Sequence, residues 1–393
     1  MKSLISALLL VFSLAISAFS QDRDGRRSLI TFVEISDHIQ KRFHQELNMD
    51  ECIGKILQRG ISYCTDPYSF YLNDKQTEDE QVEFKGKFGG IGVSLEMKHG
   101  DAGATILRVN KNSPAAKASL RAGDIIIAVA TAPASNYVFL EGLAIKTAID
   151  MIRGEVGTKV FIKILRNKQT RNYPLTREIT KIEYLESKEI GNIGYINLKE
   201  FSGEDLIRDF QEAVANLWKK NIKVLIIDLR NNPGGRLDFV TRIACWFSKD
   251  GCNNIVFTKT RSGDYIPYAP DPLFGVNGGM FKGFKLIILQ NQYSASASEI
   301  LSGYLKADAG AAVIGVKSYG KGSVQSIFPL QSGGALHLTI AEYFVGKNKL
   351  RVNGVGIEPT IKVENRKPAK GKKPVDQQME KALEVANKFL NKK

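Results

Sequence analysis

Three serines at alternate positions lie where an apolar strand pattern changes to an amphipathic helix pattern. The segment reads FKLIILQNQYSASASEILSGYL, and its hydroxyls belong to Ser294, Ser296 and Ser298. A side chain at such a junction is lifted from the sheet beside the free N–H groups that begin a helix, which suits a nucleophile. Helix capping is the competing interpretation, because Ser296 followed by Glu299 fits the capping-box pattern.

A serine nucleophile needs a base, and histidine is poorly placed to supply one. Three of the four histidines lie outside the α/β part of the sequence: His38, His44 and His99. The fourth, His337, falls inside a strand-like run, where a packed or exposed ring is the simpler interpretation. A Ser/His/Asp triad is therefore a weak hypothesis, although an esterase that uses His337 stays open as an alternative.

A lysine is the other candidate base. Lys321 lies between two glycines in SYGKGSVQ, just after the buried-strand pattern AAVIGV, and a tight loop there could turn its side chain inward. Desolvation lowers the pKa of a lysine, and a value of about 7–8 would let the amine accept a serine proton. Gln325, four residues further on, would share a face with this lysine. Taken alone, both residues would be read as surface side chains.

A small β module is predicted between residues 78 and 168, where short β-type runs alternate with glycine-rich turns. The pieces GGIGV, SPAAKASLRAGDII and IRGEVGTKVFIKILR resemble a PDZ domain. Two features depart from that pattern: Ser119 stands where glycine is usual, and TAPASNYVFLEGL is long. A glycine-turn backbone can bind a peptide carboxylate while the next strand edge pairs with the peptide, and the residues concerned are Gly90, Ile91, Gly92 and Val93.

The spaced motifs taken together resemble the C-terminal processing peptidases, also called tail-specific proteases. SASASEI, the lysine and the glutamine occur in family order with DPYS, the PDZ module, GYINLKEF, DLRNNPGG and GVGIEP, from about residue 28 to 390. The resemblance implies a mixed α/β fold. Its parts would be a ClpP- and crotonase-like layered protease core, an inserted PDZ domain and an N-terminal helical segment.

The same resemblance assigns roles to particular residues. Ser296 would be the nucleophile, Lys321 the general base, and Gln325 the partner that orients the lysine. The oxyanion would be held by backbone N–H groups, those of Ala297 and of either Gly234 or Gly235. No metal and no cofactor is implied. The alternative of the same fold is a catalytically silent scaffold that binds peptides or lipophilic ligands.

The ends of the chain predict export. Residues 1–20, MKSLISALLLVFSLAISAFS, have the pattern of a secretory signal peptide, so the protein is expected in the periplasm or outside the cell. Of the net charge of +14, six units come from residues 362–393, which predicts a solvated basic tail rather than a nucleic-acid surface. The domain order predicted is signal peptide 1–20, helical part 21–77, PDZ domain 78–168, protease core 169–365, and basic linker with C-terminal helix 366–393.

The predicted partners are protein or peptide substrates with accessible C-termini. An adaptor protein, a homo-oligomer and peripheral association with a membrane or cell wall stay open. Four cysteines could form disulfides in an exported protein, and the pairs close in sequence are Cys52 with Cys64 and Cys245 with Cys252. Since four cysteines allow three connectivities, and free thiols are equally consistent, the pairing stays open as well.

Overall fold

The computed structural model describes residues 23–97, 100–130, 137–249, 251–268, 278–365 and 375–391. The predicted signal peptide and most of the basic linker lie outside these residues. The chain divides into two compact units. The first combines the described residues up to Asn73 with Ile327–Leu338, and the second covers Asp74–Ser326 and the chain from Thr339 onward.

The first unit is mainly helical, as the amphipathic pattern of residues 27–75 predicted. Helices α1 (Arg23–Arg42) and α2 (Met49–Cys64) precede the short strand β1 (Phe70–Leu72). The side chain of Asn48 accepts a hydrogen bond from the Glu51 N–H and so caps the start of α2. Strand β1 pairs antiparallel with residues 335–337, where the ring of His337 stacks on Phe70.

The second unit begins with a helix and the small β module. Its elements in chain order are α3 (Asp74–Lys85), β2 (Lys87–Gly90), β3 (Val93–Glu96), β4 (Ala104–Val109), α4 (Pro114–Lys117), β5 (Ile125–Ala130), β6 (Val138–Phe139), α5 (Ile145–Ile152), β7 (Lys159–Arg166), β8 (Gln169–Thr176) and β9 (Glu178–Lys181). The module sheet has the order β3-β4-β5-β7-β8, with β6 beside β5. The predicted boundary at residue 168 falls between β7 and β8, which pair with each other along their whole length.

The α/β core follows. Its elements in chain order are β10 (Leu185–Ile190), β11 (Ile193–Leu198), α6 (Leu206–Lys219), β12 (Val224–Asp228), α7 (Leu237–Phe247), β13 (Val256–Lys259), β14 (Tyr265–Tyr268), β15 (Lys285–Gln290), α8 (Ala297–Tyr304) with a π-helical turn (Leu305–Ala309), β16 (Ala312–Gly315), β17 (Ser323–Pro329), β18 (Ala335–Val345), β19 (Leu350–Arg351), β20 (Ile361–Lys362) and α9 (Gln377–Asn391). The end of β18 pairs with β13, and β13 pairs with β14.

The main sheet has the order β10-β11-β12-β15-β16-β20, and all its pairings except β10 with β11 are parallel. One face packs on α6, α7 and α8 through a large apolar cluster, and the other packs on α9. Arg230 anchors the start of α9 through its ion pair with Asp376, 2.7 Å long. The predicted layered α/β fold is confirmed. The carboxyl ends of parallel strands share one edge of the sheet, where sites in such folds form.

All four cysteines lie in the described residues, and two of them are joined to each other. Cys245 and Cys252 form a disulfide, while Cys52 and Cys64 are free thiols.

Among the helices of the described ranges, none is both long enough and apolar enough to cross a membrane.

Candidate active site

Ser296 occupies a strained turn between strand β15 and helix α8. Its φ is 55° and its ψ is −115°, a conformation that costs energy for any residue with a Cβ. The helix begins at the next residue, Ala297, and the Ser296 side chain is half-buried. Of the predicted capping box, the contact from Glu299 is present, because its Oε2 accepts the Ser296 N–H at 2.8 Å.

The two neighbouring serines are buried and serve the turn itself. The Ser294 hydroxyl donates to the Leu229 carbonyl at 2.8 Å and accepts the Asn291 N–H at 2.9 Å. The Ser298 hydroxyl donates to the Asn232 carbonyl at 3.0 Å. Both residues are at most 1% exposed. The alternating serines therefore differ in surroundings, and only the middle one combines a strained backbone with partial exposure.

The DLRNNPGG turn packs directly against Ser296. Asn232 is fully buried, and its side chain donates to the Leu198 carbonyl at 2.7 Å and accepts the Gly234 N–H at 2.9 Å. Its backbone carbonyl accepts the Ala295 N–H at 3.0 Å, which joins the turn to the serine loop. A Cβ on Gly234 would lie 2.7 Å from the Ser296 Cβ, so this position requires glycine.

The two candidate glycines of the oxyanion site differ in the state of their N–H groups. The Gly234 N–H is used by Asn232, and Gly234 is buried. Gly235 is exposed, and its N–H has no hydrogen-bond partner within the described ranges. The same holds in that part of the chain for the N–H of Ala297, the first residue of α8. Of the three predicted oxyanion donors, Gly235 and Ala297 are therefore the two whose N–H groups have no partner in the described residues.

The loop of Lys321 joins the serine turn through the backbone. Tyr319 N–H donates to the Ser294 carbonyl at 3.0 Å. The Lys321 N–H donates to Oε2 of Glu299 at 2.9 Å, the same oxygen that accepts the Ser296 N–H. Ser296 and Lys321, 25 positions apart in the sequence, thus share one carboxylate oxygen, and the Lys321 residue is half-buried.

Glu299 is the buried acid between these segments. Burial raises its pKa, and hydrogen bonds from the Ser318 hydroxyl and from the N–H groups of Gly320, Ser296 and Lys321 oppose that rise without cancelling it. The carboxylate form is the one that can accept from all four donors.

Two other residues singled out by sequence have definite surroundings. The Gln325 amide donates to the Ser323 hydroxyl at 2.9 Å and to the Thr339 hydroxyl at 3.0 Å. Its role in orienting the lysine stays a prediction. His337 is 6% exposed and stacked on Phe70 at a centroid distance of 4.5 Å, so it is a packed side chain. That packing favours the structural interpretation of His337 over the esterase alternative.

The glycine turn of the small module opens onto a cleft of about 340 Å³. Gly90, Ile91, Gly92 and Val93 line it, opposite Ile149 of helix α5. Strand β3 is an edge of the module sheet, since β4 is its neighbour on one side only. Within the described ranges the N–H groups of Ile91 and Gly92 have no partner. An apolar wall, an open strand edge and free N–H groups are the features that bind an extended peptide with its terminal carboxylate.

Two buried residues of the site, Asn232 and Tyr343, have no role predicted from the sequence. Asn232 organises the glycine turn, and a polar residue directly after a buried strand, two positions before a glycine, is a signal that could have found it. Tyr343 lies in strand β18, and its hydroxyl contacts the carbonyl oxygens of Lys321 and Ser296. No local signal marks Tyr343, because its partners are distant in sequence.

Comparison with known proteins assigns the parts of the chain. The model of peptidase family S41 matches residues 192–363, and a PDZ domain model matches residues 89–176. A carboxy-terminal-processing protease of Bartonella bacilliformis is 31% identical over 377 residues, which cover 94% of this chain and 82% of that protein. A protein of Staphylococcus aureus named as a CtpA-like serine protease is 29% identical over 325 residues, or 83% of this chain and 62% of its own length.

A solved structure shares the fold. An S41 protease from Bacteroides fragilis superposes with a TM-score of 0.51 at 14% identity, covering 91% of this chain and 96% of the other. The relative from Bartonella is similar over nearly the whole chain, and the two matched models cover the PDZ module and the α/β core in the order that the sequence predicted. The chain therefore belongs to peptidase family S41 and is a serine peptidase of the carboxy-terminal-processing type with a PDZ domain.

Proposed function

We propose that the protein is an exported endopeptidase that binds substrate C-termini in the PDZ cleft and cleaves with Ser296 as nucleophile and Lys321 as general base. The observation that carries the proposal is the shared Glu299 oxygen, which brings the backbones of these two residues together. The strained, half-exposed turn at Ser296 is a second support, because strain of this kind clusters at functional sites.

The chemistry proceeds in two acyl-transfer steps. The neutral Lys321 amine takes the proton of the Ser296 hydroxyl as Oγ bonds to the scissile carbonyl carbon. The oxygen of that carbonyl becomes an oxyanion, and the N–H groups of Gly235 and Ala297 are the proposed donors. The lysine then gives its proton to the leaving amine, and the C–N bond breaks. Water, deprotonated by the same lysine, releases the acyl group and restores the serine.

Recognition is assigned to the PDZ cleft. The terminal carboxylate of a substrate would accept the N–H groups of Ile91 and Gly92, and the preceding residues would add a strand to the edge from Val93. The apolar wall of the cleft, which includes Ile149, favours an apolar last side chain. Gln325 is proposed to support the lysine from strand β17.

The experiment compares wild type with Ser296→Ala and Lys321→Ala on an unfolded protein that carries a free C-terminal tail, and the cuts are mapped by mass spectrometry. Each substitution is expected to lower kcat by about 10⁴-fold or more, because the nucleophile and its base act as one unit. Normal cleavage by either variant would overturn the mechanism. Saturable binding by the wild type with no turnover would favour the silent scaffold.

Export is proposed from the signal-like residues 1–20 and agrees with the Cys245–Cys252 disulfide, since disulfides persist in oxidising compartments. The test is the mass of the protein recovered from cells. A mature chain that begins at Gln21 and resides in the periplasm or medium is expected. A chain that retains Met1 and stays in the cytoplasm would contradict it.

A further inference from the structure

Glu299 binds both proposed catalytic residues by their N–H groups. It lies in the first turn of α8, is fully buried, and its Oε2 accepts from Ser296 at 2.8 Å and from Lys321 at 2.9 Å. The length of a hydrogen bond varies little, so two bonds to one oxygen limit how far apart the two peptide units can lie. Helix capping alone explains the first bond and not the second.

The other carboxylate oxygen extends the same contact to the rest of the lysine loop. Oε1 of Glu299 accepts the Ser318 hydroxyl at 2.6 Å and the Gly320 N–H at 2.7 Å. The Ser318 oxygen in turn accepts the Ile357 N–H at 2.6 Å, so the GVGIEP segment is joined to the loop. Two buried side chains, Glu299 and Ser318, therefore connect three segments of the chain.

Tyr343 contacts the same two residues by their carbonyl groups. Its hydroxyl lies 2.5 Å from the Lys321 oxygen and 3.1 Å from the Ser296 oxygen, and the residue is 1% exposed. A phenol has one proton to donate, and the shorter distance directs it toward the lysine carbonyl. Because Tyr343 lies near the end of β18, where that strand pairs with β13 and places Thr258 opposite it, its position is set by the sheet.

We propose that Glu299 and Tyr343 are a pair of positioning residues that hold the backbones of Ser296 and Lys321 at a fixed separation and orientation for catalysis. The inference rests on the proposed function of that serine and lysine. Neither positioning residue needs to touch substrate. Glu299 accepts the N–H of each catalytic residue, while the Tyr343 hydroxyl donates to the Lys321 carbonyl and lies 3.1 Å from the Ser296 carbonyl, so two buried side chains contact four backbone groups.

Such a device suits a lysine base. A proton transfer between Ser296 and Lys321 needs the donor and acceptor within hydrogen-bond reach, and a misplacement of about 1 Å can cost about 10²-fold in rate. The lysine lies on a loop flanked by two glycines, which gives that loop little rigidity of its own. The buried acid and the buried phenol supply the rigidity from neighbouring elements.

The test uses Glu299→Gln and Tyr343→Phe in the full-length protein. Glu299→Gln keeps the shape of the side chain and replaces one accepting carboxylate oxygen with a donating NH₂ group. Whichever oxygen is replaced, the NH₂ group faces N–H or hydroxyl donors. Tyr343→Phe removes only the hydroxyl. Each is expected to lower kcat by about 10²-fold with KM within about twofold, and to slow labelling of Ser296 by a phosphonate probe in proportion.

Two matched variants separate positioning from general stability. Asp124→Asn alters a buried carboxylate that binds Arg166 in the PDZ module, and Tyr304→Phe removes a buried hydroxyl that contacts the Ser248 hydroxyl at 2.7 Å. Both should lower stability while kcat per folded molecule and the labelling rate stay at wild-type values. The Glu299→Gln, Tyr343→Phe double variant should lose less than the product of the single losses, because both act on the same two residues.

The outcomes of these experiments distinguish a failure of the positioning role from a failure of the proposed function. If Ser296→Ala and Lys321→Ala abolish turnover while Tyr343→Phe keeps wild-type kcat and labelling rate, the dyad stands and the positioning role is wrong. If Ser296→Ala cleaves normally, the proposed function itself is wrong. Should Glu299→Gln fail to fold, Tyr343→Phe decides alone, since it removes a single oxygen atom.

Discussion

The turn around Ser296 and the PDZ cleft use their backbone polar groups in opposite ways. At the turn, the N–H groups of Ser296 and Lys321 are held by Glu299, and their carbonyl groups lie against the Tyr343 hydroxyl. In the cleft, strand β3 has an unpaired edge, and the N–H groups of Ile91 and Gly92 have no partner within the described ranges. One region is saturated by the protein, and the other leaves its bonds for a ligand.

The difference fits the role that is proposed for each region. Chemistry requires reacting groups held within a fraction of an ångström, so a catalytic turn benefits when buried side chains fix its backbone. Recognition of many C-termini requires sequence-independent bonds, and an open strand edge provides them through the main chain. The open N–H groups of Gly235 and Ala297 are the exception at the turn around Ser296, and they are the proposed donors to the oxyanion.

Gly234→Ala should have the largest effect, because it directly disturbs the turn around Ser296, whose backbone groups are held by hydrogen bonds within the protein. The new Cβ would lie 2.7 Å from the Ser296 Cβ and 2.8 Å from the Ala295 carbonyl oxygen. Since both neighbours belong to the turn of the proposed nucleophile, kcat is expected to fall about 10³-fold, or about 4 kcal/mol in activation free energy. Steady-state kinetics on a tailed unfolded substrate measures it.

Gly310→Ala is the matched control for that substitution. Gly310 also has a positive φ, 67°, but a Cβ there would meet no atom within 4 Å. It should lower stability slightly and leave kcat unchanged. Equal kcat values for Gly234→Ala and Gly310→Ala would show that the turn around Ser296 tolerates movement. The proposed difference between a fixed turn and an open cleft would then be wrong.

Asp124→Asn should lower the free energy of unfolding by about 3 kcal/mol, the usual cost of breaking a largely buried ion pair. Asp124 binds Arg166 at 2.5 Å inside the PDZ module. Burial alone would raise the pKa of Asp124, but the hydrogen bonds from Arg166 and the Arg121 N–H outweigh it and lower the pKa. Urea unfolding of the wild type and the variant at a series of pH values measures the difference.

The pH dependence of that difference has a definite sign. Because the folded pKa is lowered, the stabilisation is fully present above the ordinary aspartate pKa of about 3.9 and is lost as the pH falls through the folded value. The two unfolding curves should converge in acid. A constant difference down to acid pH would show that the carboxylate charge of Asp124 is not the source. Cleavage of short peptides should be unchanged, since Asp124 lies outside the cleft.

The sequence predicted the fold because its signals are local. The run KVLIIDLR predicts a buried strand, LDFVTRIACWF an amphipathic helix and FKLIILQ another buried strand, and the structure has all three as β12, α7 and β15. The predicted module boundary at residue 168 falls one strand before the end of the PDZ match at residue 176. The segment QTRNYPLT of β8 is mostly exposed and carries little hydrophobic pattern, so only its pairing with β7 reveals it.

The candidate site was less accessible to sequence. The family resemblance selected Ser296 and Lys321, but it left Gly234 and Gly235 equivalent, because nothing local tells which N–H Asn232 uses. Tyr343 was not predicted at all. Its contacts span 47 positions to Ser296 and 22 to Lys321, and only the folded sheet brings them together.

Ile149→Asp should weaken recognition without touching chemistry. The side chain lines the apolar wall of the cleft, and a carboxylate there would repel a substrate carboxylate and expose the cleft to water. KM for a substrate with a free C-terminus is expected to rise about tenfold, or about 1.4 kcal/mol, with kcat unchanged. Steady-state kinetics on free and amidated forms of one substrate measures it.

Thr147→Asp, on the exposed side of the same helix, is the control and should leave KM unchanged. The amidated substrate should bind poorly to wild type and variant alike. If Ile149→Asp raises KM equally for both substrate forms, the cleft does not read the terminal carboxylate, and the open N–H groups would need another explanation.

Ser119→Gly should have the smallest effect and compares the two strained serines directly. Ser119 has a φ of 59°, close to the 55° of Ser296, but it is exposed in the PDZ module. Glycine removes the left-handed strain of about 1–2 kcal/mol and costs part of that in unfolded-chain entropy, so a gain of about 0.5 kcal/mol is expected. Ser119→Ala keeps the strain and should show no gain in stability in thermal or urea unfolding, and activity should be unchanged in both variants.

If Ser119→Gly is no more stable than Ser119→Ala, a positive φ alone does not mark strain in this protein. The positive φ of Ser296 would then lose its value as a sign of function, whereas a gain at Ser119 would show that this protein keeps a serine at positive φ at a cost in stability.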